Sequence, residues 1–310
     1  MWRCDASSRS ARGSLGLSDL EEFRNEVGTT GSVCVKGGGT RWDVGGEVGQ
    51  GVRVVSAPSG IDAYDPAEMT VLVGAGTTLT ALAEVLAEHR QEVALAGPVG
   101  STVGGALAVG WNSIRRQRVG FARDALLQAE CVGADGKRFK AGGPTVKNAS
   151  GYELCRLLVG SLGTLALMGR VILRTTPIPE WSLWLRGSVT PADVVKSCYR
   201  PASILWDGSY SHVCLEGYEA DVQREASALI DSGMVKVQGP PSLPPHRNRL
   251  TGDLPEGAIL DVAIGVAHCP EAAAIQCVDP AVKCIADRMK ANFDPHRRLN
   301  PNRDPYSVPA

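Results

Sequence analysis

Apolar residues recur at helical spacing in LSDLEEFRNEV, from Leu17 to Val27, with a serine cap, and predict a helix. SVCVK follows as a short β-branched run that enters a GGGT bend. GVRVVSAP and MTVLVGAG are two further strand-like runs, and the second leads into the helical pattern LTALAEVLAEH, from Leu79 to His89. GALAVG begins a helix packed by small residues. ALLQAECVGADGKRFKA places two strand-like runs around Asp135-Gly136, a strong hairpin signal. SGYELCRLLVG is helical, GSLGT turns, and LALMGRVILRTT runs out as a strand. Strands and helices joined by short links in this order predict a mixed helix-and-sheet domain.

Pro177 and Pro179 interrupt the pattern and mark a domain boundary. Beyond them the strands SILWDGSY and SHVCLEGY are weaker, a helix is expected at ADVQREASALI, and QGPPSLPPHRNRLTGDLPEG reads as a Pro-rich loop whose basic stretch, His246 to Arg249, is solvated or touches a partner. AVKCIADRMKANF is helical and ends at FDPHRRLNPNR. The expected division is an arm at residues 1–18, a first domain at 19–176, a short second region at 177–292 and a closing segment at 293–310. The arm reads as disordered, although its arginine-rich composition also suits a transit peptide.

Composition narrows the class. The chain has 310 residues, 44% hydrophobic, with a formal net charge of −1, so it can bury a core and shows no nucleic-acid footprint. No apolar run approaches the roughly 20 residues that span a bilayer. Nine cysteines are scattered rather than paired, and Cys34, Cys131, Cys155 and Cys214 sit in apolar runs, which suits a reduced, cytoplasmic protein. His268, Cys269, Cys277 and Cys284 lack metal-ligand spacing. Cys277 and Cys284, seven apart on one helix face, are expected in a core.

Candidate chemistry lies in three glycine-rich bends: VKGGGT (Val35 to Thr40), GPVGSTVGG (Gly97 to Gly105) and the stretch from Gly142 to Pro179 containing KNASGYEL and GSLGTL. Glycine lets a backbone approach a ligand closely, and successive N–H groups in such bends form anion-binding concavities. VLVGAGTTL mimics a dinucleotide fingerprint, but Leu79 stands where its third small residue belongs, so a structural strand-to-helix turn is expected around Gly74 and Gly76. The order of VKGGGT, GPVGSTVGGALA and TVKNASGYELCRLLVGSLGTL resembles the FAD-binding oxidoreductases of the vanillyl-alcohol oxidase (PCMH) type, and within them the FAD-binding subunit of bacterial glycolate oxidase. The likeness covers residues 19 to 179, returns at Phe293 to Arg303, and is poor between.

The resemblance implies an α+β fold, with a two-subdomain PCMH-type FAD-binding domain (residues 19 to about 95 and about 96 to 176) followed by a short, divergent α/β cap. It implies that Gly37, Gly38, Gly39 and Thr40 cradle the FAD pyrophosphate, with Thr40 donating a hydroxyl bond. It also implies that Pro98, Gly100, Ser101, Thr102, Val103, Gly104 and Gly105 run along the pyrophosphate and ribityl chain, aided by the N–H groups of a helix N-terminus. Gly120, Arg123 and Asp124 match the family's next loop, where Arg123 and Asp124 either bind or form a structural ion pair. Gly163 and the strand to Val171 are expected beside the cofactor. Lys147, Asn148, Gly151 and Tyr152 are a signature of the branch without assigned chemistry.

Departures also carry information. Members that attach FAD covalently have a histidine or cysteine in motifs that lack one here, so non-covalent FAD is implied. The metal-linked histidine motif of related catalytic subunits is missing, no general base stands out, and the catalytic residues remain unknown. The leading expectation is therefore an FAD-binding subunit of a glycolate oxidase-like complex acting on a small 2-hydroxy acid, with a catalytic flavoprotein subunit and an iron–sulfur subunit as partners. The alternatives are a self-contained FAD-dependent hydroxy-acid dehydrogenase or oxidase, and a non-redox nucleotide-binding module.

Overall fold

The computed structural model describes residues 17–143, 154–272 and 278–306; residues 1–16 of the expected arm, the KNASGYE motif and Cys277 lie outside them, and the arm's last two positions, 17 and 18, instead open a helix. Two compact units form. The first comprises Met1–Trp111, Ala122–Thr176 and Asp279–Pro305, and the second Asn112–Phe121, Pro177–Val278 and Tyr306–Ala310.

The first unit contains two sheets. Val33–Val35 pairs in parallel with Arg53–Val55, and Leu299 from the closing segment bridges Val33. Helix Leu17–Val27 packs here, burying Leu20, Phe23 and Val27 against Val33, Val55, Val132 and Leu299. The larger sheet runs in the order Ile61–Asp65, Thr70–Gly74, Leu167–Pro177, Leu126–Val132, Arg138–Gly142, with Gln91–Val93 also paired to Leu167–Pro177. Strands from both sides of residue 95 thus join one sheet, so the subdomains are built around the two sheets rather than divided at that residue. The long strand Leu167–Pro177 holds the centre because its alternate residues Val171 and Leu173 bury into the main core with Val71, Val73, Leu82, Leu107 and Ala129. The Asp135-Gly136 hairpin forms as expected: Gly136 adopts φ 72° and the Gly133 N–H donates to the Lys137 carbonyl at 2.9 Å.

Two boundaries differ from the sequence expectation. Residues 112–121 leave the first unit for the second, where Arg115 grips Glu216 through Nε (2.6 Å) and Nη2 (2.9 Å). Helix Pro280–Phe293 belongs to the first unit rather than to a cap. Phe293 packs on the main core, and Lys290 Nζ donates to the Thr164 carbonyl at 2.6 Å. Cys284 on this helix is exposed, contrary to expectation. A seven-residue spacing says that two positions share a face, not that the face turns inward.

The second unit is a seven-stranded antiparallel sheet in the order Val235–Val237, Trp181–Gly187, Ser211–Gly217, Ser203–Trp206, Ile259–Asp261, Val266–Cys269, His246–Arg249. Helices Pro191–Ser197 and Glu219–Asp231 cover one face, sealing Leu185, Ile204, Val213 and Leu215 under Val194, Val222 and Leu229. The basic stretch His246–Arg249, expected in a loop, is an edge strand, and Arg247 on it is buried.

A buried ionic network braces the first unit's larger sheet. Arg170 donates to Glu130 (2.7 Å) and Asp62 (2.8 Å), and Lys140 pairs with Glu130 at 2.8 Å. Burial alone would raise the Glu130 pKa, but the bonds from Lys140 and Arg170 outweigh it and hold the carboxyl below its usual range. Its stabilising contribution is therefore present above the unfolded carboxyl pKa and is lost as pH falls through the depressed folded value. Glu130→Gln is expected to lower stability by about 2–4 kcal/mol at pH 7, because it leaves a buried charge partly uncompensated. In urea titrations the gap between variant and parent should shrink below pH 4; a gap independent of pH would contradict this.

Candidate cofactor site

The bend after Val33–Val35 begins where Lys36 N–H donates to the Val55 carbonyl at 3.0 Å, which turns the chain out of the small sheet. A Cβ on Gly38 would overlap the Gly100 carbonyl oxygen, and one on Gly37 would overlap Thr102 Oγ1. The two bends therefore touch backbone to backbone, and Thr40 Oγ1 and Ser101 Oγ close the contact with a 2.8 Å hydrogen bond. Gly39 (φ 69°) and Gly100 (φ 87°) adopt left-handed torsions that glycine alone takes cheaply.

Between the bends and GSLGT lies a cleft of about 930 Å³, including its open mouth. Its wall includes Gly37, Gly38, Gly39, Thr40, Ser101, Thr102, Gly104, Gly105 and Gly163. The N–H groups of Gly37, Gly38 and Gly39 have no hydrogen-bond acceptor among the described residues. Consecutive amides of this kind suit an anionic group.

The helix N-terminus expected to serve the same purpose behaves differently. In Val103–Val109, Val103 N–H donates to the Thr77 carbonyl (2.8 Å), Gly104 N–H to the Ala75 carbonyl (2.7 Å) and Gly105 N–H to Thr102 Oγ1 (3.2 Å). Those amides are spent on anchoring the helix. Gly104 owes its identity to Ala75, whose Cβ and carbonyl oxygen would both stand 2.9 Å from an added Cβ.

Other predicted residues fall away from the wall. Pro98 is exposed beyond the bend, and Gly100 serves through its carbonyl contact with Gly38. Val103 and Val171 are buried in the main core. Gly120 belongs to the second unit. Asp124 pairs with Arg156 at 2.9 Å, while Arg123 is exposed.

The structure adds residues that motif reading missed. Arg41 lines the cleft, donates to the Ala96 carbonyl at 2.9 Å and stacks 4.7 Å from the Trp111 ring. Arg303, from the closing segment, stacks over Trp42 at 5.0 Å and donates to the Val44 carbonyl at 2.7 Å. Asn300 bonds the Leu162 carbonyl and also reaches the wall. Two guanidiniums beside unpaired amides give the cleft the electrostatics of a diphosphate site. Arg41 directly follows the GGGT bend, but Arg303 lies more than 260 positions away and carried no local signal. Gly76 also borders the cleft, yet a Cβ there would overlap the Ala57 carbonyl, in keeping with the structural turn expected. Among the described residues no cluster of His, Cys, Asp and Glu could hold a metal ion, and no helix is long and apolar enough to cross a membrane.

Comparison with known proteins agrees with this geometry. Residues 26–152 match the family of FAD binding domains, so the chain carries an FAD-binding domain and FAD is its cofactor. Among characterised proteins the chain is similar to glycolate oxidase subunit GlcE of Escherichia coli, 29% identical over 55% of this chain and 50% of that one. It is 34% identical to D-lactate dehydrogenase of Archaeoglobus fulgidus, over 52% of this chain and 36% of that protein. Glycolate oxidase subunit GlcD of Bacillus subtilis is 29% identical over 45% of this chain and 31% of its own length. The matched stretches span half or less of these relatives. In fold, the chain resembles alkyldihydroxyacetonephosphate synthase, with a TM-score of 0.57 and 17% identity over 70% of this chain and 50% of that one.

The packing around Gly76 and Gly104 generates a prediction separate from ligand binding. In flavin-free protein, Gly76→Val and Gly104→Val are each expected to cost at least about 1–3 kcal/mol in urea unfolding, since overpacking pushes backbone apart. Unchanged midpoints would show that these close approaches are not constraining.

Proposed function

We propose that the chain is an FAD-dependent oxidoreductase, the FAD-binding subunit of a glycolate oxidase-like complex that takes part in oxidising a small 2-hydroxy acid. The observation that carries the reading is the cleft, where the amides of Gly37, Gly38 and Gly39 face open space beside Arg41 and Arg303. In this reading the three amides hold the pyrophosphate, and Arg41 and Arg303 supply compensating charge. Ser101 and Thr40 fix the distance between the two bends, and Ala108, Val109, Leu162, Ala166 and Met168 keep water from the apolar part of the cofactor. When bound, FAD supplies hydride acceptance and single-electron transfer; the protein supplies position and field.

Non-covalent attachment is part of the proposal. Among the described residues the cleft is lined by Gly, Ala, Val, Leu, Met, Ser, Thr, Trp, Arg and Asn, without a histidine or cysteine. A catalytic flavoprotein subunit and an iron–sulfur subunit are the proposed partners, and a cytoplasmic location the proposed setting. The similarity to two glycolate oxidase subunits supports this choice over a self-contained enzyme.

Purified protein should be yellow, and acid precipitation should release FAD into the supernatant. Flavin that stays with the precipitate, or FMN in its place, would refute non-covalent FAD. Mixed anaerobically with glycolate or D-lactate, the chain alone should bleach slowly, and co-expression with both partners should restore turnover. Rapid bleaching of the isolated chain would instead favour a self-contained dehydrogenase.

Gly38→Ala tests the cleft directly. The added methyl collides with Gly100 and should separate the two bends, so the variant is expected to retain less than about a tenth of the parent's FAD. Gly239→Ala, in open space, should retain all of it. Equal flavin content in the two variants would misplace the site.

A further inference from the structure

The bend that opens at Gly37 does not end at Thr40. Residues Arg41 to Gly46 continue it as a chain of turns. In it the N–H groups of Trp42, Val44 and Gly46 donate to the carbonyls of Gly39 (3.3 Å), Arg41 (3.4 Å) and Asp43 (3.2 Å). The closing segment fastens onto these turns. Asp304 N–H donates to the Gly45 carbonyl at 2.8 Å, and Arg303 Nη1 donates to the carbonyls of Val44, at 2.7 Å, and Gly46.

Trp42 organises the side chains in this corner. The Arg303 guanidinium carbon lies 5.0 Å from the centroid of its ring, and Lys36 Nζ lies 5.1 Å from it. Trp42 and Arg303 are half-buried and both line the cleft, whereas Lys36 and Asp43 are exposed. Bonding to the Val44 and Gly46 carbonyls occupies Nη1, and among the described residues no acceptor meets Arg303 Nη2. A guanidinium carries its donors in one rigid plane, so fixing one nitrogen and the ring contact directs the others. Burial lowers the Arg303 pKa against the opposing field of Asp43, which marks the side chain as partly desolvated although still cationic.

We propose that Trp42 is a positioning residue for the cofactor's diphosphate: the indole holds the Arg303 guanidinium over its face, the Val44 and Gly46 carbonyls take Nη1, and Nη2 is thereby presented to the phosphate oxygens. Lys36, on the same ring, adds positive field from outside the cleft wall. The inference rests on the reading of Gly37, Gly38 and Gly39 as the pyrophosphate cradle. It extends that reading to a residue that touches no reacting atom and acts through another. Leucine in place of Trp42 would keep an apolar side chain but offer a cation no negative ring face, whereas phenylalanine would still offer one.

The test is a double-mutant cycle on FAD affinity, measured by titrating the flavin-free full chain. Arg303→Gln is expected to weaken FAD at least about tenfold and to flatten its dependence on salt. Trp42→Leu is expected to weaken it about fivefold, and Trp42→Phe less than about twofold. In the Arg303→Gln background, Trp42→Leu should cost nothing further, because the ring then has no guanidinium to hold. Additive losses, parental affinity in Trp42→Leu, or a Trp42→Phe as weak as Trp42→Leu would overturn the proposal. If Trp42→Leu fails to fold, the spectrum of the ¹⁵N-arginine-labelled parent decides. The Arg303 Nε–H signal, assigned through Arg303→Gln, should shift when FAD is added, and an unshifted signal overturns the proposal. A parent that binds FAD while its variants are additive keeps the function proposed above and loses only this inference. A parent without affinity for FAD loses both.

Discussion

Backbone pressed against backbone is the constraint on which the cofactor site depends. The GGGT bend can lie on the Gly97–Thr102 bend only because Gly38 carries no Cβ to strike the Gly100 carbonyl, and Gly37 none to strike Thr102. The helix Val103–Val109 then stays against the strand end at Ala75 because Gly104 is equally bare. Each approach is local, yet together they set the width of the cleft. The amides of Gly37, Gly38 and Gly39 are left to face it rather than to complete secondary structure.

A second set of contacts closes the same region from far along the chain. Asp294, fully buried, accepts from the Arg298 and Leu299 N–H groups at 3.0 and 2.8 Å and from Lys290 Nζ at 2.6 Å. Arg298 then donates to the carbonyls of Val27, Gly28, Thr30, Gly31 and Ala134. Carbonyls at the end of helix Leu17–Val27 and in its following turn would otherwise need other donors. This bonding carries Asn300 and Arg303 to the cleft, so the closing segment both completes the small sheet and supplies one of the two arginines. Within the segment Asn300 and Asn302 take positive φ (41° and 67°), a region asparagine tolerates.

What was legible in the sequence follows from what each element needs. Central strands must be apolar on a buried face, so Thr70–Gly74, Leu126–Val132 and Leu167–Pro177 announced themselves, as did the helices with one apolar stripe. Edge strands need only backbone partners on one side. Ile61–Asp65 (IDAYD) and His246–Arg249 (HRNR) lie at sheet edges and carry polar residues, and no periodicity marked them. The glycine motifs located the cleft, but local sequence could not say which N–H groups would stay unpaired. That depended on Thr77 and Ala75 taking the amides of Val103 and Gly104.

The same reasoning explains why a buried basic cluster of the second unit escaped a reading along the chain. Arg116, Arg247, Asp261 and His268 come from a crossing segment and three different strands, and HRNR alone resembles a solvated turn. Burial changes its meaning. On a surface, an arginine beside an aspartate contributes little. On a face where all three strand residues are more than nine-tenths covered, each ionised group must be offset nearby. A sheet needing only stability would be served as well by apolar residues on both faces. The comparison with Glu130, Arg170, Asp62 and Lys140 in the first unit sharpens the point. There two carboxylates meet two cations through short contacts. Both groups show that a buried ion is tolerated where an opposite charge lies close to it.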